Sequence, residues 1–116
     1  MAAAAKHDFT IKQGATLDHS IVWQDSNGAV RNLAGYTARM QARYGGPDGA
    51  IALDLTTENG GIVITAAAGT VTLKATAAMT AALVPGVCVY DLEMVHTATV
   101  EPLVEGTILI APEVTR

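Results

Sequence analysis

From Tyr36 to Tyr44 the chain alternates without a slip, with Tyr36, Ala38, Met40, Ala42 and Tyr44 on one side and Thr37, Arg39, Gln41 and Arg43 on the other. A period of two describes a half-buried β-strand. A one-residue slip would exchange the two faces, so this segment also specifies which side of its sheet is core. The polar side carries no acid and no metal ligand.

Other segments repeat the pattern. Asp8–Lys12 reads as a first short strand, and Leu17–Gln24 as a second, with Leu17, Ile21 and Trp23 sharing one parity. Asp25-Ser26-Asn27-Gly28 is a hairpin signal, because Asn-Gly accepts the positive φ angles of tight turns; Ala29–Leu33 is then the expected return strand. Gly45-Gly46-Pro47-Asp48-Gly49 is a loop. Ala50–Thr56 alternates again, Ile62–Thr65 is apolar on both parities and is expected to be central, and Val71, Leu73 and Ala75 share a face. Thr76–Leu83 is the one helical segment, capped by Thr76 and stopped by Pro85-Gly86. Val87–Val95 places Cys88, Tyr90, Leu92 and Met94 on one face with Asp91 and Glu93 on the other, and Leu103–Ile110 is the last long strand. Pro102, which has no N–H, is expected only at the start or the edge of that strand.

Eight or nine short strands with a turn about every ten residues describe an all-β fold, a sandwich in preference to a small barrel. The 116 residues suit one domain, read as an arm over 1–7, a sandwich over 8–110 and a tail over 111–116. Folding a chain of this size hides about 11,000 Å² of roughly 17,000 Å² of extended surface, enough for one core without staples. Cys88 is the single cysteine, which excludes an intrachain disulfide and suits a reducing compartment.

Composition also narrows the function classes. The net charge of −4, from 11 acids against 7 bases, repels a phosphate backbone, so nucleic acid is not an expected partner. Arg39, Gln41 and Arg43 read as a sheet face whose arginines meet acids on a neighbouring strand. The N-terminus has no secretory pattern and no segment reaches the ~20 apolar residues of a membrane helix, so synthesis in the cytoplasm and no membrane partner are expected. Half the residues are hydrophobic but only 4% are aromatic and 16% charged. That balance, with a mean hydropathy of +0.32, implies an apolar surface kept for a partner.

The sequence offers little chemistry. His7, His19 and His96 are scattered without the close spacings of a zinc site. Ser20, Ser26 and Cys88 lack the setting of an activated nucleophile, and Asp91 with Glu93 reads as a solvated strand face with no sugar platform beside it. The glycine loop lacks the lysine and hydroxyl of a phosphate-binding loop, and Asp54, Glu58 and Asn59 do not have the spacing of a calcium loop. The expectation is a protein with no enzymatic activity, no cofactor and no metal.

Asp8-Phe9-Thr10-Ile11-Lys12-Gln13-Gly14, Trp23-Gln24-Asp25-Ser26-Asn27-Gly28 and Leu33-Ala34-Gly35-Tyr36-Thr37-Ala38-Arg39-Met40-Gln41, in that order, resemble a family of small tailed-bacteriophage structural proteins. Tyr90-Asp91-Leu92-Glu93, Glu105-Gly106 and Pro112-Glu113-Val114-Thr115-Arg116 extend the likeness along the chain. The family is similar to the immunoglobulin-like N-terminal domain of phage baseplate upper proteins. The resemblance implies an immunoglobulin-like β-sandwich of about eight or nine short antiparallel strands with one helical turn near 76–83, and a virion role without catalysis. The expected partners are other virion proteins, with the chain present in many copies or as a homo-oligomer. Capsid decoration is the alternative within that class, and a carbohydrate-binding module with a groove lined by Trp23 or Tyr44 is the alternative outside it. Candidate contact residues are Ala2, Ala3, Ala4, Ala5 and Lys6 in the arm, through strand addition, and Pro112, Glu113, Val114, Thr115 and Arg116 in the tail.

Overall fold

The long alternating strands pair into the larger of two sheets. A computed structural model describes residues 5–115; the expected contact residues Ala2, Ala3, Ala4 and Arg116 lie outside them. Nine strands are found among the described residues, β1 (Ala5–Lys6), β2 (Phe9–Lys12), β3 (Leu17–Val22), β4 (Thr37–Tyr44), β5 (Ile51–Thr56), β6 (Ile62–Thr65), β7 (Thr70–Ala75), β8 (Gly86–His96) and β9 (Thr99–Ala111). One sheet has the order β1-β9-β8-β4-β5, with β2 also paired to β9, and the other the order β3-β7-β6. The chain is therefore an all-β sandwich.

The parities expected from the sequence define the core between the layers. Ala38, Met40 and Ala42 of β4, Cys88, Leu92 and Met94 of β8, and Ile108 and Ile110 of β9 are buried, facing Leu17 and Ile21 of β3, Ile62 of β6 and Val71 and Leu73 of β7. Thr76 caps the short helix α1 (Ala77–Ala81), its side chain accepting from the Met79 N–H at 3.1 Å. Thr80, fully buried, ties that helix down by donating to the Ala15 carbonyl at 2.8 Å. The Arg39–Glu93 contact, 2.8 Å between directly paired residues, is the cross-strand meeting of base and acid expected for that face.

The structure departs from the sequence reading in four places. Ala29–Leu33 forms no strand: only Gln24 and Val30 bridge. The Asp25 carboxylate instead accepts from Asn27 and Ala29, and the segment is drawn down onto Trp23 and Ala66 through the Arg31 and Leu33 N–H groups. Second, β6 is an edge strand with Val63 43% exposed, because the smaller sheet has only three strands and β7 takes its middle. Third, Pro102 lies inside β9, where the register shifts between Leu92 and Glu93; the bulge there accommodates a residue without an N–H and leaves both Leu103 and Val104 buried. Fourth, the strands are not all antiparallel. β1 and β2 run parallel to β9 in one continuous register, Lys6 opposite Glu105 and Phe9 opposite Ile108.

The β8–β9 hairpin turns through Thr97 at φ 55°, a left-handed conformation that a β-branched residue adopts only under strain. Thr97→Gly is expected to stabilise the fold by about 1 kcal/mol, read as a melting temperature about 4 °C higher.

Candidate interaction surface

The outward faces of the two sheets differ in chemistry. On the smaller sheet Ser20, Thr65, Thr70 and Thr72 point outward, with Ser20 and Thr72 hydroxyls 2.9 Å apart; the exposed Val22 and Val63 each lie opposite one of these threonines, so this face mixes hydroxyls with single valines. On the larger sheet the outer side chains become apolar toward the end where β8 begins. Val87 and Leu109 lie directly opposite each other at 56% and 47% exposure. Ile51, also exposed, sits in the next row across Arg43 and Val89. Val84, exposed in the link that precedes β8, has its backbone clamped by Tyr44, whose hydroxyl donates to the Val84 carbonyl at 2.8 Å and accepts from the Val84 N–H at 3.0 Å. An exposed valine on a segment held at both polar groups is presented rigidly.

Toward the middle of the same face a groove of about 720 Å³ runs between Lys6, Arg43, Asp91, Glu105 and Thr107. Arg43 is engaged with the Gly49 carbonyl and Gln41, and Gln41 with Asp54, so the arginine stripe is satisfied within the chain. Asp91 lies opposite Glu105 and two residues from Glu93. Burial, and then those two carboxylates against the opposing Arg39, raise its carboxyl above the ordinary range. Lys6 meets Glu105 at 3.2 Å, but both are largely exposed and the pair contributes little.

The N-terminal segment crosses the rim of the sandwich beside this groove. The His7 N–H donates to the Glu105 carbonyl at 2.9 Å, Asp8 accepts from the Thr107 N–H at 2.8 Å, and the Tyr90 hydroxyl donates to the His7 carbonyl. All three contacts surround Gly106, where a β-carbon would fall 2.5 Å from the His7 carbonyl oxygen and onto the Asp8 carboxylate. Only a residue without a side chain lets the segment pass. Burial, and then Asp8, push the Tyr90 hydroxyl up to about 12, so it remains a donor.

The histidines do not stay scattered. His7 and His19 meet at 2.7 Å between Nε2 atoms, with Phe9 stacked on His19 at 4.3 Å and set edge-on to Tyr90 at 5.4 Å. The sequence held the signal: His19 lies between Leu17 and Ile21 on the inward parity of β3, and His7 shares the parity of Phe9 and Ile11. His96 is remote, beside Tyr36 at 4.8 Å. No group of three or more His, Cys, Asp or Glu side chains that could hold a metal occurs among the described residues. Cys88 is buried, and that burial pushes its thiol up.

Of the expected contact residues, Ala5 and Lys6 add a strand to the chain's own β9. Glu113 donates its N–H to the Gln13 side chain at 3.1 Å, while Pro112, Val114 and Thr115 are exposed. Trp23 is covered by the Arg31 guanidinium, 3.9 Å from the ring centre, and packs edge-on against Tyr36. That face is not free to stack on a sugar. No helix among the described residues is long and apolar enough to cross a membrane.

No protein-family model matches the chain, and no curated protein matches it.

Proposed function

We propose that this chain is a non-enzymatic structural protein of a tailed-phage virion, an immunoglobulin-like module packed by the outer face of its larger sheet against tail, baseplate or neck subunits. One observation carries the reading: the directly paired Val87 and Leu109, with Ile51 in the next row, form an apolar end on a sheet face that solvent would otherwise wet. In an isolated domain each of those side chains is about half exposed and leaves unburied area worth about 1 kcal/mol, which a subunit contact of about 1,200 Å² or more recovers. The polar groove beside the patch would set register, because a buried mismatch of its charges is penalised. The resemblance of residues 8–14, 23–28 and 33–41, in that order, to phage structural proteins supports the same class.

The test is incorporation. Val87→Thr with Leu109→Gln replaces two outward apolar side chains without setting like charges opposite each other, and is expected to leave the melting temperature within about 4 °C, since exposed substitutions fall near ±0.5 kcal/mol each. The same variant should fall at least tenfold in particles assembled in its presence, measured by quantitative mass spectrometry. Undiminished incorporation would remove this face from the account.

A further inference from the structure

His7 and His19 belong to elements on different sheets, His7 to the link between β1 and β2 and His19 to β3. Their ring centroids lie 5.0 Å apart, a span filled by the 2.7 Å gap between nitrogens and one ring radius on each side. The two Nε2 atoms therefore point at each other along one line, and the rings meet edge to edge. Such a contact holds one proton: one ring donates from Nε2, the other accepts on a bare Nε2 and carries its hydrogen on Nδ1. With both rings protonated, two N–H groups and two positive charges would meet at a distance neither tolerates.

We propose that the pair is an acid-operated latch, which at neutral pH fastens residues 5–9 across the rim to β3 and on double protonation lets them come away from the edge of β9. The surroundings fit this role. On the segment, Lys6 and Asp8 flank His7, the lysine turned to Glu105 and the carboxylate held by the Thr107 N–H. From β8 the facing group is the Tyr90 hydroxyl, which bonds the His7 carbonyl and stays protonated. From β9 Glu105 supplies its main-chain oxygen. Beside His19 on β3, Asp18 is turned to Lys74 of β7 at 3.5 Å, and Leu73 lies directly opposite. The charge that acts on His19 is that of His7. Ile11, 2% exposed, anchors the far part of β2, so the latch governs the segment before it.

Burial, and then the charge of His7, hold His19 below its ordinary 6.5. The released segment therefore binds more protons than the docked one as the pH drops under 6.5, and docking weakens from there down through the lowered value of His19. Each unit of lowering corresponds to about a tenfold loss of docked over released population.

Residue-resolved amide hydrogen exchange on the full chain at pH 7.0 and 5.0, corrected for intrinsic exchange, tests the latch. At pH 5.0 the His7 and Thr107 amides should lose about tenfold or more of their protection, while Met40 and Leu92 in the sheet centre keep theirs. His19→Phe, which retains a ring against Phe9 and cannot titrate, should abolish that pH dependence; His7→Gln, which removes the second charge and whose amide oxygen can accept from a protonated His19, should reduce it to the part set by the burial of His19. Nitrogen-detected correlation spectra at pH 7.5 should show one ring as the Nε2–H tautomer and the other as Nδ1–H. Equal protection at the two pH values in the wild-type chain, an unaltered drop in either variant, or two rings of the same tautomer would overturn the proposal.

Discussion

Gly106→Val is expected to lower stability by about 3 kcal/mol, the upper part of the range for forcing extra atoms into a packed site, and the melting temperature by about 10 °C. The cause is local. A β-carbon at that position meets the His7 carbonyl and the Asp8 carboxylate, and neither can yield without breaking the Tyr90–His7 or Thr107–Asp8 hydrogen bond. The same variant should expose the His7 and Thr107 amides to exchange at neutral pH, because the segment cannot run along β9 past a branched side chain at Gly106. A valine on a strand is otherwise favourable, so a gain in stability would show that the N-terminal segment does not pass over Gly106 at all. Thermal unfolding followed by circular dichroism reads the first effect, and amide exchange the second.

Leu73→Ala is expected to cost about 3–4 kcal/mol, the transfer term plus the cavity left in a core that cannot fully collapse. Leu73 is fully buried on β7, the middle strand of the smaller sheet, between His19 on one side and Ile62 on the other. Removing it empties space shared by both layers. Val63→Ala on the edge strand β6, where the side chain is 43% exposed, should cost less than about 1 kcal/mol. Urea denaturation of the two variants gives the comparison through their midpoints at unchanged slope. Equal losses would contradict the placement of β7 at the centre and β6 at the edge.

Much of the fold is legible in the chain because alternation is a local signal. Tyr36–Tyr44 and Val87–Val95 each carry enough residues of fixed parity to specify a strand and its buried face, and Thr76 marks a helix start by chemistry confined to four residues. What escaped depends on partners distant in sequence. Ile62–Thr65 reads as central from its own apolarity, yet its position is set by how many strands share its sheet. Ala29–Leu33 follows a strong hairpin signal, but carbonyls at Trp23 and Ala66 compete successfully for its N–H groups. The parallel pairing of β1 and β2 with β9 joins residues 99 apart and leaves no periodic trace. The parities of His7 and His19 mark each as inward, but their meeting is set only where the β1–β2 link converges with β3. Pro102 is the converse case: its missing N–H marks a defect in the ladder correctly, and a bulge inside the strand serves as well as an end.

The interaction surface divides in the same way. Apolar excess over the whole chain raises the expectation of a partner, but Val87, Leu109 and Ile51 become one patch only after β4, β5, β8 and β9 are aligned. Until then they are outward residues of separate strands.

Hydroxyl-radical footprinting of the chain, free and within assembled particles, tests the central claim most directly. A structural role through the larger sheet requires labelling at Val87, Leu109 and Ile51 to fall several-fold on assembly while Val22 and Val63 on the opposite sheet remain labelled. Equal labelling of all five in both states, or protection confined to the smaller sheet, would contradict it.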